Sequence, residues 1–122
     1  MKTAYVYLLT AIVLLSLDAV YLTLLSGFFD KQIRLIQGSS IQMNFVAAAM
    51  CYIILVFGIN HFILEPRKSV YEAFLLGIVI YGVYETTSYA LLKNWRFSTV
   101  VVDTLWGGTL FALTTWIVGR VR

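Results

Sequence analysis

The sequence predicts an all-α polytopic membrane protein, with four antiparallel transmembrane helices and a short interfacial segment after the first. Three observations predict it: an apolar composition, four long apolar runs, and short connectors. Of 122 residues, 61% are hydrophobic and 12% charged, far from the mixture that gives a soluble domain its polar shell.

The apolar runs extend from Ala4 to Phe28, Met43 to Leu64, Val70 to Leu92 and Phe97 to Gly119. A helix rising about 1.5 Å per residue needs about 20 residues to cross about 30 Å of hydrocarbon, so each run can span with some tilt. The chain lacks the alternating strands of an outer-membrane barrel, and an open sheet would leave backbone groups unpaired in lipid. The first run follows Lys2 as a secretory signal would. It is longer than an ordinary signal core, is interrupted by Asp18, and has no small-residue cleavage site after it, so it reads as a span.

The connectors run from Phe29 to Gln42, from Glu65 to Ser69 around Pro66, and from Lys93 to Arg96. Short loops make neighbouring helices antiparallel, and residues 1–122 read as one domain. Within the first connector, Phe28, Phe29, Ile33 and Ile36 recur near helical spacing with Lys31 and Arg34 between them, the pattern of a short helix lying at the interface. Gly38, Ser39 and Ser40 then release the chain into the second span.

The net charge of +3 comes from residues that flank the spans, which reads as anchoring to lipid headgroups; no compact basic patch suits a nucleic acid. Lys2, Arg67, Lys68, Arg120 and Arg122 fall on the side of the termini, and Lys31, Arg34, Lys93 and Arg96 on the other. That near-even split leans towards cytoplasmic termini. Tyr5, Tyr71, Trp95 and Trp116 read as interfacial anchors.

Three acids lie inside the spans: Asp18, Glu85 and Asp103. At about 2.5 to 3.5 kcal/mol for a charge near a helix centre, none is expected to face lipid alone. Counted from the nearer helix ends they lie roughly 12, 10 and 9 Å from the same membrane face, so one polar layer is expected. Cys51 and Tyr52 enter the second span at similar depth. Tyr21 is three residues from Asp18 and Trp106 three from Asp103, while Tyr81, Ser88 and Tyr89 share the helix face of Glu85.

No Lys or Arg lies at this level, so three clustered carboxylates cannot all remain ionised. A shared proton, a bound cation, water or a substrate amine would complete the site. The plainer expectation is a neutral carboxylic-acid network that only ties helices together.

The run Leu17-Asp18 with Tyr21-Leu22, the run Tyr81-Gly82-Val83-Tyr84-Glu85-Thr86-Thr87, and Asp103-Thr104-Leu105-Trp106-Gly107 together resemble the predicted-membrane-protein family called domain of unknown function 2177. The resemblance extends over nearly the whole chain, including Phe28-Phe29 and Asn94-Trp95. It departs at Glu85-Thr86-Thr87, where the family pattern has an aspartate, a threonine and an asparagine. It implies a four-helix membrane fold and no established activity. The candidate binding or proton and cation residues are therefore Asp18, Glu85, Asp103, Tyr21, Tyr81, Tyr84 and Trp106.

Other residues carry less. His61 is the sole histidine, which excludes haem ligation by a histidine pair and histidine-rich metal sites, and it reads as an interfacial residue. Cys51, the sole cysteine, reads as a buried inert thiol. Gly77, Gly82, Gly107 and Gly108 are expected to let helices approach closely. No phosphate loop, nucleophile elbow or nucleotide fingerprint is present, and no cofactor is implied.

Three functional expectations follow. The chain is a small binding or transport protein whose acidic layer handles a proton, cation or amine; or a structural membrane protein touching other subunits; or a lipid-modifying enzyme using paired carboxylates. The expected partners are the bilayer, a second copy or a membrane assembly, and an ion or small molecule.

Overall fold

The computed structural model describes residues 2–122 and is helical throughout, with no strand among the described residues. Five α-helices follow one another: α1 (Lys2–Leu24), α2 (Ser26–Gln37), α3 (Phe45–Ile59), α4 (Val70–Leu91) and α5 (Phe97–Val121). A π-helical turn, Asn60–Leu64, extends α3. Counting that extension, α1, α3, α4 and α5 are each long and apolar enough to cross a membrane.

The first apolar run ends earlier than its composition implies. The helix breaks at Leu25, whose φ of −108° and ψ of 18° leave the helical region, and the apolar residues beyond it belong to α2. This short helix is the one expected from the spacing around Phe29 and Ile33. The Arg34 Nε donates to Asp30 Oδ2 at 2.9 Å one turn away, an arrangement that suits an exposed helix face. That hydrogen bond is the main reason the Asp30 carboxyl titrates below its usual range. Gly38 ends α2 in the left-handed conformation (φ 76°), its N–H donating to the Arg34 carbonyl.

The other helix starts follow capping chemistry. The Asn44 side chain accepts from the Ala47 N–H at 3.1 Å, and the Ser69 hydroxyl accepts from the Glu72 N–H at 3.1 Å. The chain between them leaves α3 at the wide turn ahead of Pro66, which cannot continue a helix.

Helices α4 and α5 pack most closely. A Cβ on Gly77 would lie 2.7 Å from the Gly107 carbonyl carbon, and one on Gly107 would enter the Tyr81 ring, 2.6 Å from its Cβ. A Cβ on Gly108 would come within 2.8 Å of the far ends of the Ile78 and Phe74 side chains, which can turn aside, whereas one on Gly82 would make ordinary contact with Thr104 at 3.6 Å. Gly77 and Gly107 are thus needed for close approach, while Gly108 and Gly82 are not strictly required.

The core is a narrow column in which Leu14, Ile59, Ala73, Leu110 and Phe111 are fully buried. Much of the remaining apolar surface faces outward, including Phe45, Ile53, Ile54, Val79 and Val83, as a lipid-solvated bundle requires.

Candidate functional site

Each acid sits on a different helix, and all three line one cavity of about 300 Å³. Asp18 of α1 is 6% exposed and Glu85 of α4 is 2% exposed, while Asp103 of α5 is partly buried. Three carboxyls within hydrocarbon need donors, and the fold supplies neutral ones.

Asp18 accepts from two helices. Trp106 Nε1 of α5 donates to its Oδ1 at 2.9 Å, and the Tyr52 hydroxyl of α3 donates to its Oδ2 in a short contact. Asp103 Oδ1 accepts from the Tyr21 hydroxyl of α1 at 3.2 Å. The Tyr21 ring stacks on Trp106 with centroids 4.4 Å apart and planes within 4°, so the donors to Asp18 and Asp103 brace each other. Glu85 Oε1 accepts from Trp95 Nε1 at 3.0 Å, and its carboxyl lies within hydrogen-bonding reach of Asp103.

Tyr81 lines the cavity with its ring against Gly107. Tyr84 also borders the cavity but is half exposed, so it stands at the rim. The seven residues selected from sequence are therefore gathered here, six lining the cavity and Trp106 behind Asp18.

Several expectations are corrected. Trp95 is no surface anchor: it is buried at 9% exposure and donates to Glu85. Cys51 is exposed on the outside of α3. It neighbours Tyr52, and adjacent helical residues point about 100° apart, so when Tyr52 turns to Asp18 the thiol turns away. Tyr89 does not join the acids; its ring packs edge-on against Phe97, 5.8 Å between centroids, and is half exposed.

A buried node seats α2 and the α4–α5 turn over the cavity. The fully buried Gln32 Oε1 accepts from the Thr99 hydroxyl at 2.7 Å and from the Arg96 N–H at 2.9 Å, and Gln32 Nε2 donates to the Asn94 carbonyl at 3.2 Å. Arg96 also donates to the Phe28 carbonyl at 3.1 Å and covers the Phe28 ring at 4.8 Å. With α2 held there, Phe29 and Ile33 form an apolar wall of the acidic cavity, and Ile41 of the following loop closes beside them. Sequence reasoning missed Gln32; its one available signal was an uncharged polar residue between Lys31 and Ile33 on an otherwise amphipathic helix.

No Lys, Arg or His lines the cavity, whose other walls include the rings of Phe29, Tyr52 and Tyr81. Among the described residues no three His, Cys, Asp or Glu side chains converge as a metal-ligand set. Chemically the arrangement can hold protons between carboxyls or receive a cation of molecular size, with oxygen acceptors on some sides and π faces on others.

No curated protein and no solved structure matches the chain. A family profile described as a predicted membrane protein matches residues 3–119, a stretch that contains every acid, ring and glycine of the site. The chain belongs to that family, the predicted membrane proteins of domain of unknown function 2177.

Proposed function

We propose that this chain is a small membrane-embedded binding or transport protein whose acidic cavity handles a proton or a cation, and that an amine-bearing small molecule suits the cavity best. One observation carries the reading: three carboxyls from three helices border one aromatic-walled space that no basic side chain enters. Carboxylates left without a counter-ion in such a setting need either a shared proton or an incoming positive charge. Aromatic faces add cation–π attraction for an ammonium group, which favours an organic cation over a small metal ion.

A route from the bilayer is consistent with this. An apolar groove of about 520 Å³ runs between α1 and α3, walled by Ala11, Leu15, Ala49 and Ile53, and Tyr52 borders both the groove and the acidic cavity. Transport, as distinct from binding, would call for a second copy, because four spans are few for alternating access. The five basic flanking residues beside the termini, against four opposite, favour cytoplasmic termini.

The test uses full-length protein in liposomes with methylammonium as probe. The expected result is pH-dependent uptake or binding that falls in each of Asp18→Asn, Glu85→Gln and Asp103→Asn. Unchanged behaviour in all three would reject the reading. A second reading, in which the acids only hold helices together, is favoured by the fact that each acid takes its donor from another element. It expects the same variants to lower the unfolding temperature in detergent while methylammonium has no effect on the wild type.

A further inference from the structure

A second polar cavity, of about 310 Å³, opens at the other end of the bundle. It lies where α1 begins, α3 runs out and α5 ends, so its rim is at the boundary of the spans. Lys2, Arg67 and Arg122 contribute to its wall together with one acid, Glu65. Counting side chains alone, three cations against one carboxylate leave the wall basic, with a formal charge of +2.

The one acid is already engaged. Its Oε1 accepts from the Tyr7 hydroxyl at 3.3 Å, and its Oε2 lies 3.8 Å from His61 Nδ1. Among the described residues the Lys or Arg ion pair is Arg34–Asp30, so none of the three cations takes part in one.

The arginines are also placed. Arg67 is held at a φ of 57°, in the left-handed region, and its N–H donates to the Leu64 carbonyl at 3.2 Å. Arg122 Nη1 donates to that same carbonyl at 2.9 Å, which brings both basic residues to one end of the π turn. Arg122 Nε is buried and has no hydrogen-bond partner. Burial first, and then the neighbouring charge of Arg67, pull the Arg122 guanidinium below its ordinary value. A buried, unpaired donor among like charges is costly unless an acceptor is supplied from outside. The floor adds neutral polarity through Asn60, which is fully buried.

We infer that this cavity is an anion site for a phosphate monoester at the membrane surface. A monoester carries about −1.5 to −2 charges and three strong acceptor oxygens, which complements three basic side chains, two of them with forked guanidinium donors. A phosphodiester, with one negative charge, matches them less well. The monoester belongs either to a lipid headgroup of the phosphatidic acid kind or to a soluble molecule, and the chemistry at the site is shared.

The experiment uses the full chain in nanodiscs of phosphatidylcholine doped with either phosphatidic acid or phosphatidylglycerol, with bound lipid counted by native mass spectrometry. The expected result is about tenfold stronger retention of phosphatidic acid. Arg67→Asn, which suits the left-handed backbone at that position, and Lys2→Gln should each erase most of that preference. Lys93→Gln, at the far end of the bundle, should not. Glycerol phosphate then separates the sources: competition assigns the site to phosphate monoesters at large, and failure to compete assigns it to the lipid form. Equal retention of the two lipids, or an equal loss in Lys93→Gln, would overturn the proposal and leave only general attraction of basic residues to anionic membranes.

Discussion

Replacing Gly77 with alanine tests the architecture that brings the acids together. The new Cβ would sit 2.7 Å from the Gly107 carbonyl carbon and 2.9 Å from the Gly108 Cα, with the Gly107 oxygen nearer still. Carbon atoms pack without repulsion at about 3.5 to 4.0 Å, so α4 and α5 would have to part by about 1 Å. The obstacle is backbone, which has no rotamer to change. Overpacking of this kind costs about 1 to 3 kcal/mol. Gly58→Ala in α3 is the matched control: a Cβ there meets nothing within 4 Å, so it should be neutral or gain up to about 1 kcal/mol from helix propensity. The assay is reversible unfolding of both variants in mixed micelles of increasing denaturing-detergent fraction. Gly77→Ala should lie below the wild type and Gly58→Ala at or above it. Equal stability of the two would refute the close contact between α4 and α5. Because Glu85 and Asp103 hang from those same helices, Gly77→Ala should also weaken methylammonium binding though it touches no acid.

Other changes separate the parts of the site. Trp95→Phe removes the donor to Glu85 and should cost about 1 to 3 kcal/mol of stability, read as a lower unfolding midpoint in the same mixed micelles. Gln32→Leu would strand the Thr99 hydroxyl and the Arg96 N–H; at about 1 to 3 kcal/mol for each stranded group, the variant should show faster amide exchange across residues 26–37 than the wild type. Cys51 lies on the outer face of α3, so Cys51→Ala should leave the unfolding midpoint in mixed micelles nearly unchanged, whereas Leu14→Ala, at a fully buried position, should cost about 2 to 5 kcal/mol.

Most of the fold was legible because hydropathy acts over whole segments. The second, third and fourth runs match α3 with its π turn, α4 and α5 to within a few residues. The first overran by four residues, since Leu25, Gly27 and Phe28 are as compatible with lipid as the span before them, and the break at Leu25 comes from α2 turning over the bundle end. The acids were legible for an energetic reason: a carboxylate in hydrocarbon narrows its own options to an inward face.

The donors were harder to read. Tyr21 and Trp106 lie one turn from an acid along their own helices, yet each bonds the acid of the other: Tyr21 reaches Asp103 and Trp106 reaches Asp18. Periodicity places residues on a face but does not say which neighbouring helix will take the bond. Trp95 was missed because a tryptophan in a loop at the end of a span ordinarily marks the interface, and only the fold-back of the α4–α5 turn under Gln32 carries it inward. Cys51 and Tyr52 are equally compatible with the layer by depth, and the rotation of α3 that chooses between them is set by packing against α1.

The most direct measurement is infrared difference spectroscopy of the carboxyl groups in the full-length protein in bilayers, recorded with and without methylammonium. The amine should shift carboxyl bands, with Asp18→Asn, Glu85→Gln and Asp103→Asn each altering the same difference spectrum, since the groups share one cavity. Three independent band changes, or a spectrum indifferent to the amine, would contradict a shared site.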